Sequence, residues 1–186
     1  MRDPRDVALS YYHFQRKYRH IVDSYPIDEY VDRFVSGELN DFGSWGENVL
    51  SWLATRSESP GFLLLRYEDI VSETSCELAK IAKFLGIQPT PERLARAIER
   101  SSAERMRSLE KVEGDGWVST NGRRKDIPFI GPARPGRWKS ELPEGSVYRI
   151  ESAWGPLMRT LGYELVRKIS PAPELAFELP TVGSQA

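Results

Sequence analysis

Met1–Phe14, MRDPRDVALSYYHF, is the stretch on which the reading of the chain turns. Asp3 offers a side-chain oxygen to the free N–H groups at the start of a helix. Pro4 follows where a missing N–H is harmless, and Asp6 reinforces the cap in the manner of a capping box. A helix is therefore expected to begin at a definite residue. Val7, Tyr11, Phe14 and Tyr18 recur at intervals of three and four and form one apolar stripe, with Ser10 at its edge. Arg2 ahead of the helix and Ser10 on it are placed to face one ligand. A phosphate suits them, because the free N–H groups and dipole of a helix start favour an anion and Arg2 adds a planar fork of donors. The same pattern also describes a capped amphipathic helix whose Arg2 and Ser10 are solvated surface groups.

The rest of the sequence bounds the alternatives. Its 186 residues, 40% apolar and 11% aromatic, suffice for one domain with a real core. A net charge of -1 gives no general attraction for nucleic acid or an anionic membrane, so any anion site has to be local. One basic cluster is visible in Arg123, Arg124, Lys125, Arg134, Arg137 and Lys139. Cys76 is the only cysteine, which excludes an intrachain disulfide and a cysteine-based zinc site. Its apolar helical setting predicts an inert core thiol, and its solitude fits a reducing compartment such as the cytoplasm. No apolar run approaches the roughly 18 residues that span a bilayer, and the N-terminus lacks a signal-peptide core.

Further helices are expected over Asp28–Val35 and Glu47–Thr55, separated by a turn at Asn40–Ser44. Trp45, Val49 and Trp52 share a face of the second, which predicts a core role. Phe62–Leu65 is an unbroken apolar run after Gly61, and it reads as a strand buried on both faces of a parallel sheet, the one clear strand of the chain. Helical periodicity resumes at Thr74 with Leu78, Ile81, Ala82 and Leu85, and stops at Gly86. Thr90 and Pro91 begin another helix, carrying Leu94 and Ile98. Glu113–Arg137, rich in Gly, Pro and basic residues, is too long for a simple connector. Gly145–Leu161 reads as a last helix, bent near Gly155-Pro156. The domain is placed at residues 1–165 and a loosely ordered tail at 166–186.

Several of these segments carry a resemblance. Met1–Phe14 resembles the R-[ND]-P-[KR]-D-V-[AL]-x-S-Y-Y-H-F segment of the sulfotransferases that use 3'-phosphoadenosine 5'-phosphosulfate (PAPS). Gly43-Ser44-Trp45 followed by Trp52, Leu65-Arg66-Tyr67-Glu68-Asp69 with the later Phe84-Leu85-Gly86, and Gly136-Arg137-Trp138-Lys139 are similar to further family elements in the same order. The resemblance implies an α/β fold, a P-loop-type sulfotransferase domain here truncated and mostly helical. It implies that Arg2 and Ser10 hold the donor's 3'-phosphate and that Tyr67 contacts adenine. Gly136, Trp138 and Lys139 with Arg134 would close over the nucleotide, and Phe14 would line the acceptor pocket. The implied reaction moves a sulfuryl group from PAPS to a hydroxyl or amine on a small molecule or glycan, releases 3'-phosphoadenosine 5'-phosphate (PAP) and needs no metal.

The sequence also departs from the family. Where R-K-G clasps the 3'-phosphate, strict register offers Gly131, Pro132 and Ala133, with Arg134, Arg123, Arg124 or Lys125 as substitutes. Ala103 stands where a phenylalanine stacks on adenine, a loss of roughly 1–3 kcal/mol on the scale of aromatic–base contacts. The family's phosphate loop, with the lysine that balances charge on the leaving oxygen, and its general-base histidine precede the segment matched by Arg2. His13 and His20 are read as structural histidines, so no catalytic residue is assigned. The expectation is the C-terminal portion of a sulfotransferase domain that alone binds nucleotide weakly or is inactive, with apolar faces left uncovered where inner strands are missing. The alternatives are a short non-catalytic relative that binds 3'-phosphoadenosine nucleotides or a protein partner, and a plain helical interaction module.

Overall fold

The computed structural model describes residues 1–39, 41–113 and 123–166. The tail expected over 166–186 lies outside them, apart from Val166. Among the described residues the regular elements are all helices. The core is built by α1 (Pro4–Lys17), α2 (Ile27–Ser36) and α9 (Glu144–Thr160). Val31 and Phe34 of α2 and Ala8 and Leu9 of α1 join Ile150, Trp154, Leu157 and Met158 of α9 in one buried cluster. Helix α9 runs through Pro156 to Thr160.

The start of α3 (Trp45–Arg56) abuts this core. Ser44 and Glu47 form a reciprocal capping box, in which the Ser44 hydroxyl accepts from the Glu47 N–H at 3.2 Å and the Glu47 carboxylate accepts from the Ser44 N–H at 2.8 Å. Gly46 is required here, since a Cβ would lie 2.5 Å from the indole nitrogen of Trp154. Trp45 packs on Trp154 with ring centroids 5.4 Å apart, as a core tryptophan should. Trp52 does not, being 54% exposed.

Three further sequence expectations need correction. First, Phe62–Leu65 is no strand, and no strand occurs among the described residues, so the α/β assignment with a clear buried parallel strand gives way to an all-helical arrangement. The segment has no regular secondary structure and is half-buried. Its first residue closes a turn, the Phe62 N–H donating to the Ser59 carbonyl at 3.0 Å, and at its far end the Met1 ammonium donates to the Leu65 carbonyl at 2.5 Å while the Met1 carbonyl accepts from the Tyr67 N–H at 2.7 Å. An apolar run marks burial, but a strand also needs a second backbone alongside. Second, the buried face of α1 is Ala8, Leu9 and Tyr12; Val7 and Tyr11 are half-buried and Phe14 is 38% exposed. The aromatic stripe is real, but it stacks on itself at the surface: Phe14 lies 5.9 Å from Tyr11 and 4.5 Å from Tyr18. Third, Cys76 is exposed. It sits on α5 (Thr74–Phe84), which with α4 (Tyr67–Ser72), α6 (Pro91–Ser101) and α7 (Ala103–Glu113) forms a peripheral array whose helices bury one side chain, Glu77.

A buried ion cluster ties α1 to α9. Arg5 donates through Nη1 to Glu151 at 2.6 Å, through Nε and Nη2 to Asp3 at 2.9 and 2.7 Å, and through Nη2 to the Glu164 carbonyl at 2.9 Å. Breaking one side of a buried pair leaves an uncompensated charge. Glu151→Ala is expected to lower unfolding free energy by about 3–5 kcal/mol in urea denaturation, and Glu151→Gln, which keeps an acceptor, by less.

Candidate functional site

The site begins at the cap of α1. Asp3 caps it as expected, accepting the Arg5 N–H at 2.9 Å. Asp6 does not complete a capping box, because the Asp3 N–H donates to Glu68 at 3.0 Å instead. The Asp6 carboxylate is thereby released for another task. Its Oδ2 accepts from the Gly136 N–H at 2.6 Å and its Oδ1 from the Trp138 N–H at 3.0 Å. One buried carboxylate thus pins the Gly136–Lys139 turn and the short α8 (Trp138–Glu141) to the first turn of α1. Gly136 has φ +79°, a left-handed conformation that suits glycine. The Arg5 guanidinium lies 3.7 Å from the centroid of the Trp138 ring and fixes the indole from below.

Around this anchor lies a cavity of about 510 Å³, lined by Arg5, Arg66, Glu68, Gly136, Trp138 and Lys139 among others. Lys139 is exposed at its edge, with Nζ 5.7 Å from the Trp138 ring centroid. Arg2 is brought to Tyr67, its guanidinium 4.4 Å from the ring centroid and its Nη2 3.7 Å from Asp6. The Arg2 Nε is buried without a hydrogen-bond partner, and so is the Nε of Arg66, whose guanidinium stacks on Tyr163 at 4.6 Å. Orphaned buried donors of this kind fit an anionic ligand.

Ser10 opens elsewhere. It lines a second cavity of about 430 Å³ with His13, Phe14, Lys17, Phe129 and Arg137. Arg2 lines a third, apolar cavity with Trp45, Trp52 and Phe62–Leu65, so the two residues expected to share a phosphate do not line the same cavity. Lys17 is spent on the loop, donating to the carbonyls of Arg124 at 3.1 Å and of Ile127. Burial and the nearby Arg123 lower its pKa. His13 Nε2 is buried without a hydrogen bond and lies 3.7 Å from Glu141. Burial, followed by Arg137, pushes the His13 pKa down, and Glu141 partly opposes this. Glu141 is itself held below the usual carboxylate range, chiefly by Arg137, which grips it through Nε at 2.7 Å and Nη2 at 2.6 Å.

The expected substitutes for the phosphate clasp fare unequally. Arg124 is engaged by Asp126 and Asp23, and Arg123 faces Glu110 at 3.9 Å and the Phe129 ring at 5.7 Å. Arg134 is exposed and lines none of the three cavities. Ala133 has φ +50°, at a position where the family pattern has glycine. The tertiary role of Asp6 left no trace in local pattern. The Arg137–Glu141 pair did, as opposite charges four residues apart.

The family profile described as "Sulfotransferase domain" matches residues 1–162. The chain belongs to the sulfotransferase family. Human Sulfotransferase 2A1 (Homo sapiens) is 36% identical over 165 residues, covering 89% of this chain and 57% of the relative. Sulfotransferase 1B1 of Canis lupus familiaris is 34% identical over 139 residues, covering 75% of this chain and 46% of the relative. The chain spans about half the length of the curated relatives it matches. Two solved structures share its fold. Retinol dehydratase in complex with androsterone and inactive cofactor PAP superposes with a TM-score of 0.74 at 23% identity, over 90% of this chain and 48% of that one. A mouse sulfotransferase complexed with PAP gives 0.69 at 20% identity, over 86% and 56%.

The lowered pKa of His13 fixes a sign. The unfolded chain binds its proton more readily, so the contribution of His13 to stability is present above about pH 6.5 and is lost as pH falls toward the folded value. Nuclear magnetic resonance titration is expected to find the His13 midpoint below 6.5. Glu141→Gln should lower it further, and Arg137→Gln should raise it.

Proposed function

We propose that this chain forms one wall of a PAPS-binding sulfotransferase site, and that the enzyme moves a sulfuryl group from PAPS to a hydroxyl or amine. The observation that carries this is the Gly136–Lys139 turn pinned to α1 by Asp6, in a chain whose residues 1–162 match the sulfotransferase domain. In this reading Arg2, with its unpartnered Nε, and Ser10 both contact the nucleotide, each from the separate cavity it lines, with Ser10 at the 3'-phosphate. Tyr67 meets adenine, and Gly136, Trp138, Lys139 and Arg134 cover the nucleotide. Phe14 faces the acceptor. The PAP found in the two solved neighbours supports the donor, and the androsterone bound to retinol dehydratase supports a small-molecule acceptor. A glycan acceptor has no such support. The proposed setting is cytoplasmic, and no described helix is long and apolar enough to cross a membrane.

When bound, PAPS supplies an activated sulfuryl group whose bond to the 5'-phosphate oxygen breaks as the acceptor attacks sulfur in line. The residues of this chain bind and orient the nucleotide. Neither histidine is assigned as general base: His13 faces Glu141, and His20 is held by Gln15 at 2.7 Å. The chain alone is therefore proposed to bind nucleotide without transferring sulfuryl groups. The second reading, a non-catalytic relative that binds 3'-phosphoadenosine nucleotides, shares this prediction.

Calorimetric titration of the chain with PAP is expected to show saturable binding. Arg2→Ala should weaken it roughly 10- to 100-fold, the scale of lost hydrogen bonds to a charged group. Absence of PAP binding by the folded wild-type chain overturns both nucleotide readings. Sulfuryl transfer from PAPS to a phenol by the chain alone overturns the proposed inactivity.

A further inference from the structure

The cavity that Ser10 lines raises a question that the nucleotide reading leaves open. A phosphate beside Ser10 needs cations, and the family's source is replaced here by Gly131, Pro132 and Ala133, none of which carries a charge. Gly131 and Pro132 nevertheless line this cavity. Arg2 lines a different one, and Arg123 and Arg124 are held by carboxylates.

Three basic side chains line the cavity beside Ser10: His13, Lys17 and Arg137. The Lys17 ammonium is already committed to two loop carbonyls. Arg137 uses Nε and one Nη2 hydrogen on Glu141, two of the five donors of a guanidinium, so the fork retains donors for a second anion. His13 contributes a buried Nε2 without a hydrogen-bond partner. We propose that Arg137 and His13, together with the Ser10 hydroxyl, form a replacement clasp for the 3'-phosphate, built from α1 and the start of α8 rather than from the 131–133 loop.

This inference rests on the nucleotide reading and adds residues that the sequence pattern does not supply. Glu141 is the group that tunes it. In the structure its carboxylate binds Arg137 and faces His13, so it occupies the role an arriving phosphate would share. The charged groups around His13 are Arg16 and Lys17 on α1, Arg137 before α8, and Glu141 at its end. The cations and burial keep the imidazole neutral near pH 7. A phosphate dianion placed among them favours the charged form, so binding is coupled to proton uptake by His13.

The test is calorimetric titration of the full chain with PAP and with adenosine 5'-phosphate, which lacks the 3'-phosphate. Wild type is expected to prefer PAP at least tenfold. Arg137→Gln and His13→Gln should each weaken PAP about tenfold or more and leave adenosine 5'-phosphate within twofold, with unchanged far-ultraviolet circular dichroism. Glu141→Gln, which removes the competing carboxylate and keeps the shape, should tighten PAP. Near pH 6.5, PAP binding should take up a proton, read from the dependence of binding heat on buffer ionisation heat, and His13→Gln should abolish that uptake. If wild type prefers PAP while both Gln variants keep the full preference, the clasp is overturned and the nucleotide reading stands. If wild type does not bind PAP, both fall.

Discussion

The structure depends on a buried carboxylate. Asp6 sits 1% exposed in the first turn of α1, where removal from water would be costly without donors to receive. It obtains them from Gly136 and Trp138, far along the chain, with the Arg2 guanidinium nearby. The requirement works in both directions. A turn of Gly and Trp backbone has N–H groups that also need an acceptor, and Asp6 supplies both. The neighbouring Arg5 faces the same problem with the opposite sign, and it is met by Asp3, Glu151, the Glu164 carbonyl and the face of Trp138. Two consecutive charges on α1 therefore help fix where the 136–141 segment, the middle of α9 and the Glu164 segment beyond it lie.

Such a network contributes more to geometry than to net stability, since desolvation offsets much of the attraction between buried charges. Its value lies in what it positions. Trp138 is held from below by Arg5 and along its backbone by Asp6, which leaves Arg137 and Lys139 projecting from a fixed turn. The cations proposed to face a ligand are thus carried on a frame in which Arg5 and Asp6 satisfy their charges internally. Of the buried side-chain atoms without a partner among the described residues, Arg2 Nε, His13 Nε2 and Arg66 Nε belong to residues that line the three cavities, whereas the Tyr30 hydroxyl and Arg123 Nη1 do not.

How much of this was legible in the sequence depended on the range of the interaction. Asp3, Pro4, Gly86, Thr90 and Pro91 act through neighbours within one helical turn, and the helices they delimit appear where local pattern places them. Tyr67 near Arg2 and the Gly136–Lys139 turn near α1 were legible only through family resemblance, because their contacts span the chain. The role of Asp6 was hidden by a valid local rule: a carboxylate at the third position of a helix usually turns back to the cap, and here Glu68 had already filled that place. The α1 stripe misled for a related reason. Apolar periodicity identifies a face, but Ala8 and Leu9 go to the buried cluster with α9, while Phe14 stacks on Tyr11 and Tyr18 at its margin.

The apolar run Phe62–Leu65 shows why helices and strands differ in what a sequence can promise. A helix closes its hydrogen bonds within itself, so a capped amphipathic segment becomes helical wherever one face finds apolar contact. A strand closes them on another chain segment, and its composition says nothing about whether that segment is at hand. Phe62 and Leu64 pack against the core, yet Met1 meets the backbone of the run at its Leu65 end rather than along its length. The side chains of Phe62–Leu65, with Val7, Trp45 and Trp52, line an apolar cavity of about 460 Å³. Burial preference alone therefore places the run correctly against the core, while its classification as strand requires a neighbour that composition cannot supply.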